Sequence, residues 1–427
     1  MEVLQDTYKD TKIGRIPKDW DVMKLKDLGT FFKGQSVSSN HITSDGKPII
    51  RYGDLYVQYK NKNTVTHFAF FADPTILKED KNLLYGDILF TGTGETQEDI
   101  GKCVAFLRND EAYAGGDIIV LRPNSNNVNS EVLSYILSTG KVLNAKQRLG
   151  QGSSIFHTYS QHLEKLNIPL PSLPEQQKIA AILSTVDEQI STTDKIIEKS
   201  KELKKGLMQK LFSEGIGHTE FKDTKIGRIP KDWEVVRLDT VSSKIGDGLH
   251  STPNYTDDSD YYFVNGNNLI KGEIQIKPNT KRVTKEEYIK HKKQLTTSTI
   301  LMSINGTIGN LAFCNMENIV LGKSAAYINL NTSRINKVFF YYFLQTHQIK
   351  LFYLKELTGT TIANLSLKSI RKTPTVLPSN EEQQKIADIL SEADAKIEKE
   401  QTQKTQLETL KKGLMQQLLT GKKRVKV

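Results

Sequence analysis

The chain is 427 residues long, 37% hydrophobic and 25% charged, with a net charge of +10 and a pI near 9.1. That length exceeds one ordinary core and argues for two or three domains; with no run of about 18 apolar residues and no charged-then-apolar leader, a cytosolic protein without a membrane span is expected. The isolated Cys103 and Cys314 exclude a disulfide framework and a cysteine zinc site, and the positive balance favours a polyanionic partner, though a merely basic soluble protein shares it.

The first element in chain order is "DTKIGRIPKDW" (residues 10–20), and the same eleven letters return at 223–233. An apolar anchor followed by a turn reads as scaffold, pinning the start of a module rather than touching a ligand. A middle of residues 21–151 follows. In it "KPIIRYGDLYV", "GDILFTGTG" and "GDIIVLRPN" are short, β-branched and glycine-bounded, the marks of strands. "SEVLSYILSTGKVLNAKQRL" (130–149) has the pattern of one amphipathic helix.

A long helix comes next. Ile179, Leu183, Val186, Ile190, Ile197, Leu207 and Leu211 fall on a four-three spacing, interrupted by Thr193, Ser200 and Lys204. Such a narrow apolar seam in a charged helix is the coiled-coil pattern. Pro174 suits the helix start, and residues 175–213 span about 60 Å at 1.5 Å per residue.

The second half repeats this plan. After the second head, a middle of residues 234–358 offers "YFVNGNNLI", "STILMSINGTIG" and "AAYINLN" as strands and "NKVFFYYFLQTHQIKLFYLKEL" (336–357) as a helix. The tail "NEEQQKIADILSEADAKI" (380–397) matches "LPEQQKIAAILSTVDEQI" (173–190), and "LKKGLMQQL" (410–418) matches "LKKGLMQKL" (203–211). Ile386, Leu390, Ala393, Ile397, Leu414 and Leu418 continue the seam, and Pro378 precedes this helix. The middles share little beyond their ends, where "GSSIFHTYSQHLEKLNIPLP" faces "GTTIANLSLKSIRKTPTVLP". Constant ends around free middles suit a fixed framework carrying a variable reading surface.

No catalytic constellation emerges. A Walker A loop needs glycine five places before Gly322 in "GKS", where Glu317 stands. "STPNY" lacks the double proline of an amino-methyltransferase, no two histidines share metal-ligand spacing on a helix, and no acidic-acidic-lysine set suggests a nuclease. "FTGTGETQEDIG" (90–101) contains G-x-G without a lysine, and "INGTIG" (304–309) occupies the same place; both read as structural turns.

With "IPKDWDVMKL" and "IPKDWEVVRL" at the heads, "LPSLPEQQKIAAIL" and "LPSNEEQQKIADIL" at the tails, "LKKGLMQ" twice, and "GDGLHSTPNY" and "NGTIG" in the second middle, the chain resembles the specificity subunit of type I restriction-modification systems over nearly its full length. The resemblance implies an α+β protein: two globular α/β target-recognition domains separated by two long antiparallel coiled-coil helices, with a pseudo-two-fold internal repeat. Its parts would be residues 1–172 (first recognition domain), 173–213 (central helix), 214–378 (linker and second recognition domain) and 379–427 (C-terminal helix). It also implies a non-catalytic DNA reader: each half reads one part of an asymmetric bipartite site in double-stranded DNA. The helices would set the gap and dock two modification subunits, with restriction subunits when present. No cofactor is expected on this chain; S-adenosylmethionine, and ATP with Mg2+ for restriction, would sit on the partners, in a bacterial or archaeal cytoplasm.

Base reading calls for side chains that make paired hydrogen bonds. Candidates are Lys33, Gln35, Ser38, Asn40, Arg51 and Tyr52 in the first module, and Lys244, Asp247, His250, Ser251, Asn265, Asn267 and Asn268 in the second. Ser153, Ser154, Thr360 and Thr361, at the repeated "GSS/GTT" turns, are candidates for holding phosphates. Each stands against the alternative of a loop polar group satisfied within its own turn, His250 in particular. Two other functions stay open at this point: a coiled-coil adaptor that binds proteins without reading DNA, and a self-contained nuclease or methyltransferase, for which the chain lacks motifs and length.

Overall fold

The structure is a computed structural model that describes residues 7–124, 126–359 and 363–426. The chain forms two compact units. Unit 1 gathers the residues up to Asp194 with those from Thr402 onward, and unit 2 is Lys195–Gln401. The division falls inside the two long helices.

In unit 1 the central sheet comprises β1 (Gly29–Lys33), β2 (Asp87–Thr91), β3 (Cys103–Phe106) and β4 (Ile118–Pro123), in the order β3-β2-β4-β1 with every neighbour antiparallel. β2, β3 and β4 are apolar strings because both their faces are covered. Ile88, Phe90, Cys103, Ala105, Ile119 and Leu121 pack one way, with α1 (Ser130–Leu137). The alternate residues Leu89, Val104, Phe106, Ile118 and Val120 pack the other way, with Ile50, Leu55 and Tyr59. This is the period-two signature of a strand expressed on two cores. A second sheet orders Tyr113–Ala114, Lys47–Ile50, Phe70–Ala72 and Ile42–Thr43, and its first pair is parallel. The helix α2 (Gly140–Gln147) completes the middle and leads to the long α3 (Leu173–Ser213).

Unit 2 repeats this topology. β5 (Ser242–Asp247), β6 (Thr299–Ser303), β7 (Leu311–Phe313) and β8 (Ala325–Leu330) are ordered β5-β8-β6-β7, the same neighbour relations in the same chain sequence. Its second sheet again holds one parallel pair, Tyr262–Val264 with Ile319–Leu321. The helices α4 (Lys337–Phe343) and α5 (His347–Glu356) lead to α6 (Asn380–Leu418). The internal repeat therefore runs through the middles, where the sequences have diverged.

Three sequence expectations are corrected. Residues 47–57 are not one strand: Lys47–Ile50 is extended and Tyr52–Val57 is helical, its start fixed by the Arg51 amide, which donates to Asp54 Oδ2 at 2.8 Å. Each expected amphipathic helix is two helices. They break at Thr139 and Thr346, whose backbones are extended and whose hydroxyls donate to the preceding carbonyls of Tyr135 and Phe343.

The long helices, 41 and 39 residues, bury one stripe. Ile179, Leu183, Val186, Ile197, Leu211, Ile386, Leu390, Ile397 and Leu418 are buried, while Ile190, Leu207, Ala393 and Leu414 are half-buried. In unit 1 the first part of α3 runs antiparallel to the last part of α6, as the ion pairs Asp187–Lys411 (2.7 Å) and Asp194–Lys404 (2.6 Å) show. Two of the residues that interrupt the seam are accounted for locally. Thr193 folds its hydroxyl back onto the Gln189 carbonyl, and Lys204 pairs with Asp394 at 2.6 Å within unit 2.

Candidate nucleic-acid interface

The repeated head phrase positions the site. Trp20 and Trp233 are essentially fully buried, and each indole donates at 3.0 Å to a glutamate at the start of a long helix, Glu175 and Glu382. The next residue of each helix, Gln176 or Gln383, satisfies the loop that opens the short helices. Gln176 accepts from the Asn129 amide (2.8 Å) and donates to the Asn127 carbonyl (2.9 Å); Gln383 accepts from Asn336 (2.7 Å) and donates to Arg334 (3.1 Å). A second duplicated lock ties the middle to the helices. Tyr135 donates to Asp187, which pairs with Lys411; Tyr342 donates to Asp394, which pairs with Lys204. Burial, more than the neighbouring carboxylates, pushes both phenols above their usual pKa, so they stay donors. Sequence reasoning missed these triads, although their members recur 207 positions apart.

What this framework holds out is one end of each central sheet, where β1 and β2 finish and β4 begins, and where β5 and β6 finish and β8 begins. Two glycines fix the exit of the first strand. A Cβ on Gly34 would lie 2.1 Å from the Gly115 carbonyl oxygen, and one on Gly248 would lie 2.2 Å from that of Leu321. Lys33 is exposed at the end of β1, and Ser38 and Asn40 are exposed in the loop beyond it. Ser38 shares a hydrogen bond with His41 at 3.1 Å. After β2, Thr93–Gly94 pairs with Phe156–His157, so the exposed turn carrying Ser153 and Ser154 joins the same end. Arg51 is half-buried, stacked 3.3 Å above the Phe70 ring and tied to Asp54; Tyr52 beside it is 42% exposed.

In unit 2 Lys244 lies exposed within β5, Asp247 closes that strand and accepts from His250 at 2.8 Å, and Ser251 is exposed next to it. Asn267 is exposed, while Asn265 is half-buried and accepts from Ser324 at 2.9 Å. Thr360 and Thr361 lie outside the described residues.

Two candidates are engaged elsewhere. Gln35, 7% exposed, accepts from the Lys78 amide at 2.6 Å and donates to the same residue's carbonyl. Asn268, 5% exposed, donates to the Gln275 carbonyl and Thr280 hydroxyl and accepts from the Asn265 amide. Both amides are spent inside the fold. The structure brings other cations to the same ends: Lys81, whose ammonium reaches the Lys33 carbonyl at 3.3 Å, and Lys323, whose carbonyl accepts from Asn305 at 3.1 Å. They arrive from loops 48 and 18 residues away, which no local motif announces. Among the described residues no cluster of three or more His, Cys, Asp or Glu could hold a metal, and no helix is long and apolar enough to cross a membrane.

A mixed α/β unit, written twice and joined to two shared helices, defines a two-module scaffold with loops held out at equivalent ends. The profile of the type I restriction modification DNA specificity domain matches residues 17–202 and 230–409, one match per module. The chain is 33% identical over 436 residues to a putative type I restriction enzyme specificity subunit, MjaX, of Methanocaldococcus jannaschii, covering 99% of this chain and 98% of that one. It is 28% identical over 435 residues to the MjaVIII specificity subunit of the same archaeon, covering 99% and 97%. A crystal structure of the type I restriction-modification S subunit from M. genitalium shares the fold, with TM-score 0.59 at 17% identity over 93% of this chain and 96% of that one. The chain belongs to the type I restriction-modification specificity subunit family.

Proposed function

We propose that each unit reads one part of a bipartite site in double-stranded DNA, using the loops at the exposed end of its central sheet. The observation that carries this is the contrast between framework and loops. The Trp–Glu and Tyr–Asp–Lys locks are duplicated residue for residue, whereas "FFKGQSVSSN" and "SKIGDGLHST" present different side chains from equivalent strands. Like frameworks reading through unlike loops suit an asymmetric site, where a two-fold dimer would read a palindrome. In this reading the exposed Lys33, Lys244 and Lys323, with Lys81, meet phosphates, and Arg51, Asn40, Asn267 and His250 meet base edges.

The chain is the recognition subunit of a type I complex and acts with other polypeptides. Two modification subunits carry S-adenosylmethionine, restriction subunits, when present, add ATP and Mg2+, and the assembly works in a bacterial or archaeal cytoplasm. The long helices dock the partners and set the gap between the two parts of the site.

Exchange of the middle tests the modular reading. Replacing residues 21–151 with the corresponding segment of a relative, then mapping methylated adenines in cells that also express the modification subunit, is expected to change one half-site and leave the other. A change in both would end the claim of independent readers. DNA binding by the assembled complex that ignored sequence and salt would favour the adaptor instead.

A further inference from the structure

The parallel pair in the second sheet of each unit ends at one place that the framework duplicates bond for bond. In unit 1 the Gly115 amide donates to the Ile50 carbonyl at 2.8 Å, and the residue after Ile50, Arg51, ties its amide to Asp54 Oδ2 at 2.8 Å. In unit 2 the Gly322 amide donates to the Val264 carbonyl at 2.8 Å, and the residue after Val264, Asn265, ties its amide to Asn268 Oδ1 at 3.0 Å. Each of the two opens a short helical segment, Tyr52–Val57 or Gly266–Asn268. Each also lies against the glycine of the neighbouring strand. A Cβ on Gly115 would be 3.4 Å from Arg51 Cα, and one on Gly322 would be 2.2 Å from Asn265 Oδ1. A side chain at Gly322 would push the Asn265 amide out of its place.

This slot borders the loops at the reading end. The Gln35 amide donates to the Ala114 carbonyl at 2.8 Å in unit 1, and the Leu249 amide to the Leu321 carbonyl at 2.6 Å in unit 2. From those residues run the loops that carry the exposed Ser38 and Asn40, and the exposed His250 and Ser251. What differs between the slots is the side chain. Arg51 lies flat on the Phe70 ring, its Cζ 3.3 Å from the centroid, and meets Asp54 through Nη2 at only 3.4 Å. Its Nε is buried without a partner, and Nη1 has none among the described residues. An arginine that serves only the fold has its donors paired, because a buried unpaired donor is costly. This one is held planar with its fork largely unspent. Asn265 accepts from the Ser324 hydroxyl at 2.9 Å through Oδ1, and its Nδ2 has no partner among the described residues. The oxygen keeps a second lone pair.

We propose that this slot is a specificity-determining position in both units: Arg51 reads a guanine in one half-site, and Asn265 reads an adenine in the other. The inference rests on the preceding reading that the loops at these ends meet DNA, and it names the base at one position of each half. Guanine presents two acceptors, O6 and N7, which match a planar guanidinium fork. Adenine presents a donor and an acceptor, N6 and N7, which match a carboxamide. Phosphates are alike along both halves, so a phosphate contact gives no reason for arginine in one slot and asparagine in the other.

The test uses the full chain assembled with its modification subunit, on duplexes carrying the site that methylation mapping returns for the wild type. Exchange of the middle assigns each half-site to its unit; each position is then changed in turn and the affinity compared. The wild type is expected to lose about tenfold or more when one guanine in the half-site of unit 1, or one adenine in that of unit 2, is replaced. Arg51→Met keeps the stem over Phe70 without the fork, and should erase the preference at that guanine alone. Arg51→Gln supplies a carboxamide and should move the same position toward adenine, a change that no structural role produces. Asn265→Asp keeps the acceptor for Ser324 and should erase the adenine preference in its own half-site only. Arg51 variants that weaken binding to all sequences alike would make the residue a phosphate contact and overturn the proposal. So would an unchanged preference. Failure of both Arg51 variants to fold, seen in thermal unfolding, would make the residue a structural cap and overturn it as well. A wild-type complex with no sequence preference would instead bring down the DNA-reading assignment itself.

Discussion

A polar side chain can read DNA only if the fold has not already used it. Gln35 and Asn268 have the amides that pair with adenine, but each is buried and engaged inside the fold. Their loss should therefore appear as instability. Asn268→Ala strands the Asn265 amide and the Gln275 carbonyl and is expected to cost about 1–3 kcal/mol in denaturant unfolding. The same complex, assembled below its melting point, should methylate the unchanged sequence. Lys33→Gln should do the opposite: stability within about 0.5 kcal/mol, since Lys33 is exposed, with DNA binding weakened at all sequences alike and its salt dependence shallower. A shift in the bases recognised by Asn268→Ala, or a folding defect in Lys33→Gln, would reverse the two assignments. The sequence could not separate these residues, because whether an asparagine faces solvent or a neighbouring carbonyl is decided by loops that close around it from elsewhere in the chain.

At the scale of elements, the legible parts were those the chain repeats. Eleven shared letters marked the heads, and the four-three spacing marked the helices, because a seam is periodic in sequence. The sheet order was hidden: strands such as β2 and β4 are apolar on both faces, so alternation does not show which core each residue enters, and β4 pairs both with β2 and with the distant β1. The locks were hidden too, since each joins three distant segments. Unit 1 closes its lock around Glu175, 1% exposed, with Arg424 at 2.7 Å and Trp20 at 3.0 Å; Arg424 also holds Asp19. Arg424→Gln leaves a buried carboxylate with the Trp20 indole as its remaining side-chain donor among the described residues. The expected loss is about 2–3 kcal/mol, below the full figure for a buried pair because the guanidinium is 40% exposed. Hydrogen bonding from Arg424 lowers the Asp19 pKa from 3.8. A depressed carboxylate stabilises above its unfolded pKa and loses that contribution as pH falls through the folded value. The gap in melting temperature between wild type and Arg424→Gln should hold from pH 7 to about 5 and narrow below 3.8. A gap that widened in acid would assign the stabilisation to something other than this pair.

For the whole molecule the question is what two helices of 41 and 39 residues measure. Holding a module does not require such length, since each lock involves only a few turns of helix. An unbroken α-helix is a stiff element, and a seam that repeats along it fixes register as well as contact. If the helices set the gap in the DNA site, their length should be readable in base pairs. One extra heptad after Thr192 and another after Lys399 keeps the seam in both helices and adds about 10 Å to each at 1.5 Å per residue. Along duplex DNA that distance is about three base pairs, at 3.4 Å per step on each strand. Methylation mapping of the double insertion is expected to return both original half-sites with a gap about three base pairs longer. Affinity should fall where the two added turns rotate one reader about the duplex. Insertion in one helix alone breaks the register of the opposing seam and should abolish methylation. Full activity on the original gap after the double insertion would show that the helices hold partners without measuring distance.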